Sequence, residues 1–263
     1  MIELRRREDG SPLRIGHRGA AALAPENTLR AFQAARLAGV DVIEFDVLDL
    51  PHGPLVVAHS DHLEEVSHGA ATGSVRARSL AELREVAPEL PTLDEALAFF
   101  TTEATAIGVH LDLKLRARFD ELGAAIRAHG LVERTVVSST HTDRLRAMAR
   151  HAPGVRIGVT YPEDRFEISR RQHLWPVVGL ALTALRASLP ARLPRLVRRA
   201  GATAVMLQHR LVTEAAVRRA HALGVPVLAW TVDEPHDLAR VVEAGVDGVI
   251  TNDPGIFVAT LAT

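Results

Sequence analysis

Short apolar runs alternate with longer mixed segments from one end of this chain to the other. Val- and Ile-rich runs near residues 14–17, 42–48, 108–113, 135–138, 156–159, 204–207, 226–230 and 247–251 read as strands. They are apolar throughout, as parallel strands buried on both faces should be. Segments near 28–38, 92–100, 118–129, 142–150, 186–200, 213–223, 235–244 and 255–262 read as the helices that follow them. Thr92-Leu93-Asp94-Glu95 has the pattern of a capping box, in which the first and last side chains satisfy each other's backbone N–H groups. Gly39, Gly130, Gly224 and Gly245 fall where helices should stop. Eight strand–helix repeats in about 250 residues predict a single (β/α)8 TIM barrel of class α/β. A doubly wound open sheet is the alternative, but no glycine-rich dinucleotide turn favours it.

Two stretches are longer than ordinary connections. Residues 49–91 form an insertion after the second strand and include a hairpin arm carrying His59. Residues 160–185 follow the fifth barrel strand and hold the apolar run 174–182, with Arg170, Arg171, Arg186 and Arg192 around it. Both leave strands at their C-terminal ends, the face on which barrel enzymes build their sites. The second reads as a lid over the barrel mouth, with a surface for lipid tails as its alternative. It is too short to span a bilayer.

Composition narrows the choice of partners. The chain has 263 residues, 47% of them hydrophobic, and a formal net charge of −1. No global field recruits nucleic acid or acidic lipid, so any anion site must be local. There is no cysteine, which removes disulfides and thiolate metal ligands. Arg5-Arg6-Arg7 is followed by Glu8-Asp9-Gly10 rather than an apolar core, so no signal peptide is visible and a cytoplasmic protein is the expectation. Peripheral membrane contact through 174–182 is the alternative. The oligomeric state stays open. Among 31 basic residues the one lysine is Lys114, two positions after Asp112. A compact ammonium there is not readily replaced by a guanidinium fork.

Polar residues inside the apolar runs carry the chemistry. Glu44 and Asp46 are two apart on one strand and share a face; Asp112 and Lys114 do the same on the next barrel strand. Buried charges are costly unless paired. Three carboxylates on neighbouring strands suit one hard divalent cation, Mg2+ or Ca2+, with Mn2+ a further candidate. The absence of cysteine and of a close histidine pair argues against structural zinc. His17 ends the first strand; alone it would read as a hydrogen-bonded core histidine, but Arg18 beside it adds an anion-binding fork. His59 follows the run Leu55–Ala58 at a comparable level. A cation, Arg18, Lys114 and two histidines together describe a phosphoryl-transfer site, in which one imidazole takes a proton and the other gives one.

The ordered set His17-Arg18-Gly19, Pro25-Glu26-Asn27-Thr28, Glu44-x-Asp46, Val56-Val57-x-His59, Asp112-x-Lys114 and Trp230-Thr231-Val232 resembles the motifs of glycerophosphodiester phosphodiesterases. The resemblance runs from about residue 14 to Pro254, so that residues 1–263 read as one such domain. It implies a (β/α)8 barrel that hydrolyses glycerophosphodiesters, its small-molecule substrates, to glycerol 3-phosphate and an alcohol with a divalent metal. By position it implies Glu44, Asp46 and Asp112 as metal ligands, His17 and His59 as general base and acid, Arg18 and Lys114 on the phosphate, and Trp230 on the wall near the glycerol or alcohol. Three departures stand out. The family usually has Glu where this chain has Asp112. Ser60 replaces an acidic neighbour of the second histidine, and Asp61 lies one position later on the opposite face. Leu63-Glu64-Glu65-Val66-Ser67 stands where an arginine is common.

The residues leave two nucleophiles open, the glycerol 2-hydroxyl (giving a cyclic phosphate) or water, and do not decide which histidine takes which role. Two rival functions remain: a lysophospholipase D-type hydrolase on the same barrel, motivated by the apolar 174–182 run, and a barrel that binds phosphodiesters without cleaving them, motivated by Asp112 and Ser60.

Overall fold

The computed structural model describes residues 3–162 and 175–258, with the backbone alone for 175–181. Strands β1 (Leu13–Gly16), β2 (Val42–Asp49), β3 (Leu55–Val57), β4 (Gly108–Leu113), β5 (Thr135–Ser139), β6 (Arg156–Tyr161), β7 (Ala204–Gln208), β8 (Val227–Trp230) and β9 (Gly248–Thr251) form one sheet. All but β3 are parallel, and β1 pairs with both β2 and β9, so eight strands close into a barrel. The predicted (β/α)8 TIM barrel is correct. Strand β3 runs antiparallel to β2, with Val47 opposite Val57 and Asp49 opposite Leu55. This is the hairpin arm expected before His59.

Helices α1 (Leu29–Leu37), α4 (Leu93–Thr102), α5 (Phe119–Ala128), α6 (Thr142–His151), α7 (Trp175–Ala200), α8 (Glu214–His221) and α9 (Pro235–Glu243) follow the barrel strands, while α2 (Leu63–Val66) and α3 (Leu80–Val86) belong to the insertion. The Thr92–Glu95 capping box is present, and Ser79 with Glu82 makes a second one at α3. The four glycines expected to stop helices all have positive φ, which a Cβ would oppose.

Two boundaries differ from expectation. Helix α7 begins at Trp175, well before the predicted 186. Pro176 lies in its first turn, where a missing N–H costs nothing, and that was the start signal to read. The predicted last helix, 255–262, is a 3-10 turn at Pro254–Phe257 in its described part; Pro254 and Asp253, whose carboxylate caps the Gly255 N–H, favour that tight turn. Of the apolar run 174–182, Leu182 has a described side chain, half-buried against the outer core; the rest of the run's side chains and Arg170 and Arg171 lie outside the described residues. Arg186 and Arg192 are exposed. No helix among the described residues is long and apolar enough to cross a membrane.

Alternation along the strands sorts side chains into two cores. Leu13, Ile15, Val42, Val136, Ala204, Met206, Leu228 and Ile250 cluster inside the barrel with Leu4. The opposite faces pack against the helices. There Phe45 meets Phe32 of α1 at a ring-centroid distance of 4.9 Å and Phe100 of α4 at 5.8 Å. The insertion has its own cluster, in which Val56, Leu63, Val75 and Leu83 are buried together. It is therefore a packed arm beside the barrel mouth, and it delivers His59 from there.

Candidate active site

Packing Phe45 outward forces Glu44 and Asp46 inward on β2, where they are 4% and 2% exposed. Register then sets the third carboxylate: Asp46 lies opposite Asp112 on β4, and Asp112 opposite Ser138 on β5. Glu44, Asp46 and Asp112 each offer an oxygen within 4.8 Å of the other two, so the structure brings the predicted metal ligands together. Burial, Asp46 and Asp112 push the Glu44 carboxyl well above the ordinary carboxylate range. Burial also acts against Asp46, but Lys114 and Arg18 outweigh it and hold this carboxyl far below that range. Two carboxylates on one strand thus have opposite proton affinities because Lys114 and Arg18 pair directly with Asp46, while the weaker pull of Arg18 on Glu44 does not offset its burial and its acidic neighbours.

The cations come from two directions. Lys114 Nζ donates to Asp112 Oδ2 at 2.6 Å and lies 3.3 Å from Asp46 Oδ1. Arg18 approaches from the first barrel loop, with Nε 3.2 Å from Asp46 Oδ2, Nη1 2.7 Å from Glu26 Oε1, and its backbone N–H on Glu44 Oε2 at 2.9 Å. Arg18 and Gly19 both have positive φ, and a Cβ on Gly19 would come within 2.6 Å of the Ala31 backbone. This turn lets the loop fold back under α1. Asn27 holds the loop by donating to Asp46 Oδ2 at 2.9 Å and accepting from the Asp46 N–H at 3.2 Å.

Of the two predicted histidines, His17 approaches this acidic floor directly, and His59 is held beside it by the insertion. His17 Nε2 is 4.0 Å from Glu44 Oε2, and its Nδ1 meets Asn252 Oδ1 at 2.7 Å. Burial, reinforced by Arg18, pushes the His17 imidazole down to about 4, so the ring is neutral. His59 Nδ1 donates to Glu65 Oε2 at 3.0 Å, which also accepts from Ser60 Oγ at 2.7 Å. Trp230 ends β8 opposite Gln208 and packs on the barrel interior; its buried Nε1 donor has no partner among the described residues. A cavity of about 210 Å3 lies beside His59, between the first barrel loop and the insertion, with Asn27, Val57, Glu65, Val86 and Leu90 among its walls.

Residues 17–256 match the sequence profile of the glycerophosphoryl diester phosphodiesterase family. The chain belongs to that family. A glycerophosphodiester phosphodiesterase of Caldanaerobacter subterraneus subsp. tengcongensis is 28% identical over 254 residues, 91% of this chain and 93% of the relative. A glycerophosphodiester phosphodiesterase of Arabidopsis thaliana is 29% identical over 261 residues, 94% of this chain and 72% of the relative. Among solved structures, an Oleispira antarctica phosphodiesterase in complex with the product sn-glycerol-3-phosphate superposes with a TM-score of 0.72, at 21% identity, covering 96% of this chain and 97% of that one. At that identity the likeness carries the fold. The family and its relatives make the chain a phosphoric diester hydrolase of the glycerophosphodiester phosphodiesterase type.

Within this phosphodiesterase, five supporting residues are not marked by the sequence motifs: Glu65, Ser138, His110, Asn252 and Asp233. Glu65 supplies the carboxylate on His59 that Ser60 cannot; Asp61 instead accepts from Ser74 Oγ and the Arg76 N–H, each at 2.8 Å. Ser138 donates to Asp112 Oδ1 at 2.8 Å and is itself 2.9 Å from Nε2 of the buried His110. Asn252 and Asp233 back His17. The signal for Ser138 and His110 was readable, since both follow from strand register with Asp112. Glu65 lies in the single turn of α2, too short to show a period, and Asp233 lies in the loop after β8, so no periodicity points to either.

Proposed function

We propose that residues 1–263 act as one barrel domain that hydrolyses glycerophosphodiesters to glycerol 3-phosphate and an alcohol by acid–base catalysis at His17 and His59. The observation that carries this reading is the convergence of three carboxylates with oxygens within 4.8 Å and an imidazole Nε2 4.0 Å from one of them. Three oxygen ligands held on adjacent strands fit a hard divalent ion, and the raised proton affinity of Glu44 is what a cation site shows without its cation. Glu44, Asp46 and Asp112 would hold Mg2+, Ca2+ or Mn2+, which when bound neutralises charge on the phosphoryl oxygens. Asp112 serves despite its shorter arm, because Ser138 and Lys114 aim it inward.

His17, neutral and with Nε2 facing the floor, takes the proton of the attacking hydroxyl, whether the glycerol 2-hydroxyl or water. That oxygen bonds to phosphorus as the ester bond to the alcohol breaks; where the 2-hydroxyl attacks, a water then adds to the cyclic phosphate and breaks its bond to that hydroxyl, giving glycerol 3-phosphate. His59, whose Nδ1 rests on a carboxylate, gives its proton to the departing oxygen. Lys114 and Arg18 lie where they offset charge on the phosphate, and the Trp230 Nε1 donor is available to a substrate oxygen. The cavity beside His59 has room for the alcohol that leaves on that side.

The test is turnover of glycerophosphocholine and of a lysophospholipid with Mg2+, Ca2+ and Mn2+ in turn, followed by EDTA. Release of glycerol 3-phosphate that EDTA abolishes is expected. Metal-independent release, or cleavage confined to the lysophospholipid, overturns this reading.

A further inference from the structure

The hydrogen-bond chain behind His17 continues past Asn252. Asp233 Oδ2 accepts from Asn252 Nδ2 at 2.7 Å, and Asp233 Oδ1 accepts from the Asn252 N–H at 2.8 Å and from Thr251 Oγ1 at 3.1 Å. An ionised carboxylate only accepts, so the amide must turn its NH2 toward Asp233. Its oxygen is then left for His17, at 2.7 Å. An oxygen at that distance requires a proton on His17 Nδ1. Two successive acceptor demands therefore decide which imidazole nitrogen is bare.

We propose that Asp233 and Asn252 are positioning residues that fix the tautomer of His17, so that Nε2 reaches the carboxylate floor without a proton. The proposal rests on His17 being the proton acceptor of the reaction above. Neither residue touches the reacting atoms; Asp233 is exposed at the barrel rim. The arrangement spends two loop ends on one ring. Thr251 closes β9 and Asn252 follows it, while Asp233 follows β8, and the Val232 N–H bonds the Ile250 carbonyl at 2.9 Å to hold the two ends side by side. Strand pairing thus sets the distance between carboxylate and amide. An amide between carboxylate and ring has a further consequence: it orients the ring without placing a full negative charge on it. That suits a base which must start neutral, whereas His59 has Glu65 in direct contact.

Histidine-labelled 15N protein at about pH 8 reads the tautomer directly, and the resonance of His17 is assigned by its loss in His17→Gln. The wild type is expected to show His17 with Nδ1 protonated and Nε2 bare. Asp233→Asn removes the obligate acceptor, so the Asn252 amide can turn and both tautomers appear. A wrong tautomer costs a hydrolytic triad about 10^4-fold; acting through an amide at an exposed rim, the loss here is roughly tenfold or more in kcat, with KM within about twofold. Asp233→Asn with Asn252→Asp exchanges the two groups. The carboxylate then accepts from Nδ1 and the amide donates to it, so the double variant regains the single tautomer and most of kcat. A merely structural role for Asp233 predicts neither the mixed spectrum nor this rescue. A wild-type His17 protonated on Nε2, or an Asp233→Asn protein with wild-type spectrum and kcat, overturns the proposal. Should Asp233→Asn fail to fold, the wild-type spectrum and the exchanged pair decide. The spectrum needs no substrate, so a protein inactive on glycerophosphodiesters but with the expected tautomer rejects the function and keeps the positioning.

Discussion

Replacing Lys114 with Met removes the ammonium that lies between Asp112 Oδ2 at 2.6 Å and Asp46 Oδ1 at 3.3 Å, and keeps most of the side-chain volume. Breaking a buried ion pair on one side costs about 3–5 kcal/mol, because the other charge stays buried. Asp46 is 2% exposed but the Lys114 side chain is 27% exposed, and solvent screening brings the cost to about 2–3 kcal/mol. For a chain of this size each kcal/mol moves Tm by roughly 2–4 °C, so the metal-free variant should melt about 4–12 °C below the wild type. Added Mg2+ should act in the opposite sense. In the wild type a bound ion would share two carboxylates with Lys114, whereas in the variant it would take over the charge that Lys114 neutralised, so the thermal shift from EDTA to Mg2+ should be larger in the variant. Stability should recover on loading but turnover should not, if Lys114 offsets phosphate charge as proposed; loss of one such donor costs on the order of 10^2–10^3 in kcat. Differential scanning calorimetry in EDTA and in Mg2+, with an activity assay on the loaded proteins, gives all three numbers. A metal-free variant as stable as the wild type, or an equal Mg2+ shift in both, refutes the claim that Lys114 holds the metal-free floor together.

Three further outcomes follow from the same geometry. Glu44, whose proton affinity is raised in the fold, contributes stability that is complete below its ordinary value of 4.5 and is lost as pH rises through the raised value; Glu44→Gln should therefore raise the metal-free Tm at about pH 8, more so than at pH 5, while abolishing the Mg2+ shift, and a lowered Tm at the higher pH would falsify the assignment. His17→Ala should lose about 10^2–10^4-fold on both alkyl and p-nitrophenyl phosphodiesters, whereas His59→Ala should lose that much on alkyl esters only, because a good leaving group needs no acid; equal losses for both variants on both esters would reverse or merge the roles. Phe45→Ala, opening a hole beside Phe32 and Phe100, should cost about 3–5 kcal/mol in urea unfolding, and a loss under 1 kcal/mol would show that the outward packing of Phe45 does not fix the facing of Glu44 and Asp46.

The barrel was legible because each of its strands is a contiguous run whose burial on both faces leaves few interpretations, and because the caps and stops of its helices are local. The carboxylate floor was legible for the same reason: Glu44-x-Asp46 and Asp112-x-Lys114 obey the two-residue period of a strand, so sharing a face follows from spacing alone. Residues that act across a loop were not. Glu65 reaches His59 because α2 turns the chain back after Ser60, and nothing in Leu63-Glu64-Glu65 distinguishes the glutamate on His59 from its neighbour. The missing acid after His59 looked like a defect of the site; the structure shows the same charge arriving from six residues further on.

The two histidines show how far partner chemistry, rather than identity, determines what a side chain can do. Each has Nδ1 engaged, His17 by an amide oxygen and His59 by a carboxylate. One is backed by an amide whose orientation a distant carboxylate dictates, the other by a carboxylate in contact. The same contrast operates on the floor, where Asp46 and Glu44 share strand, face and burial but differ in the cations against them. In both pairs the fold supplies near-equivalent positions and the loops break the equivalence. Exchanging loop residues while leaving the strands untouched should therefore move proton affinities and roles without moving the barrel, which is how one scaffold can keep its architecture while its chemistry is retuned.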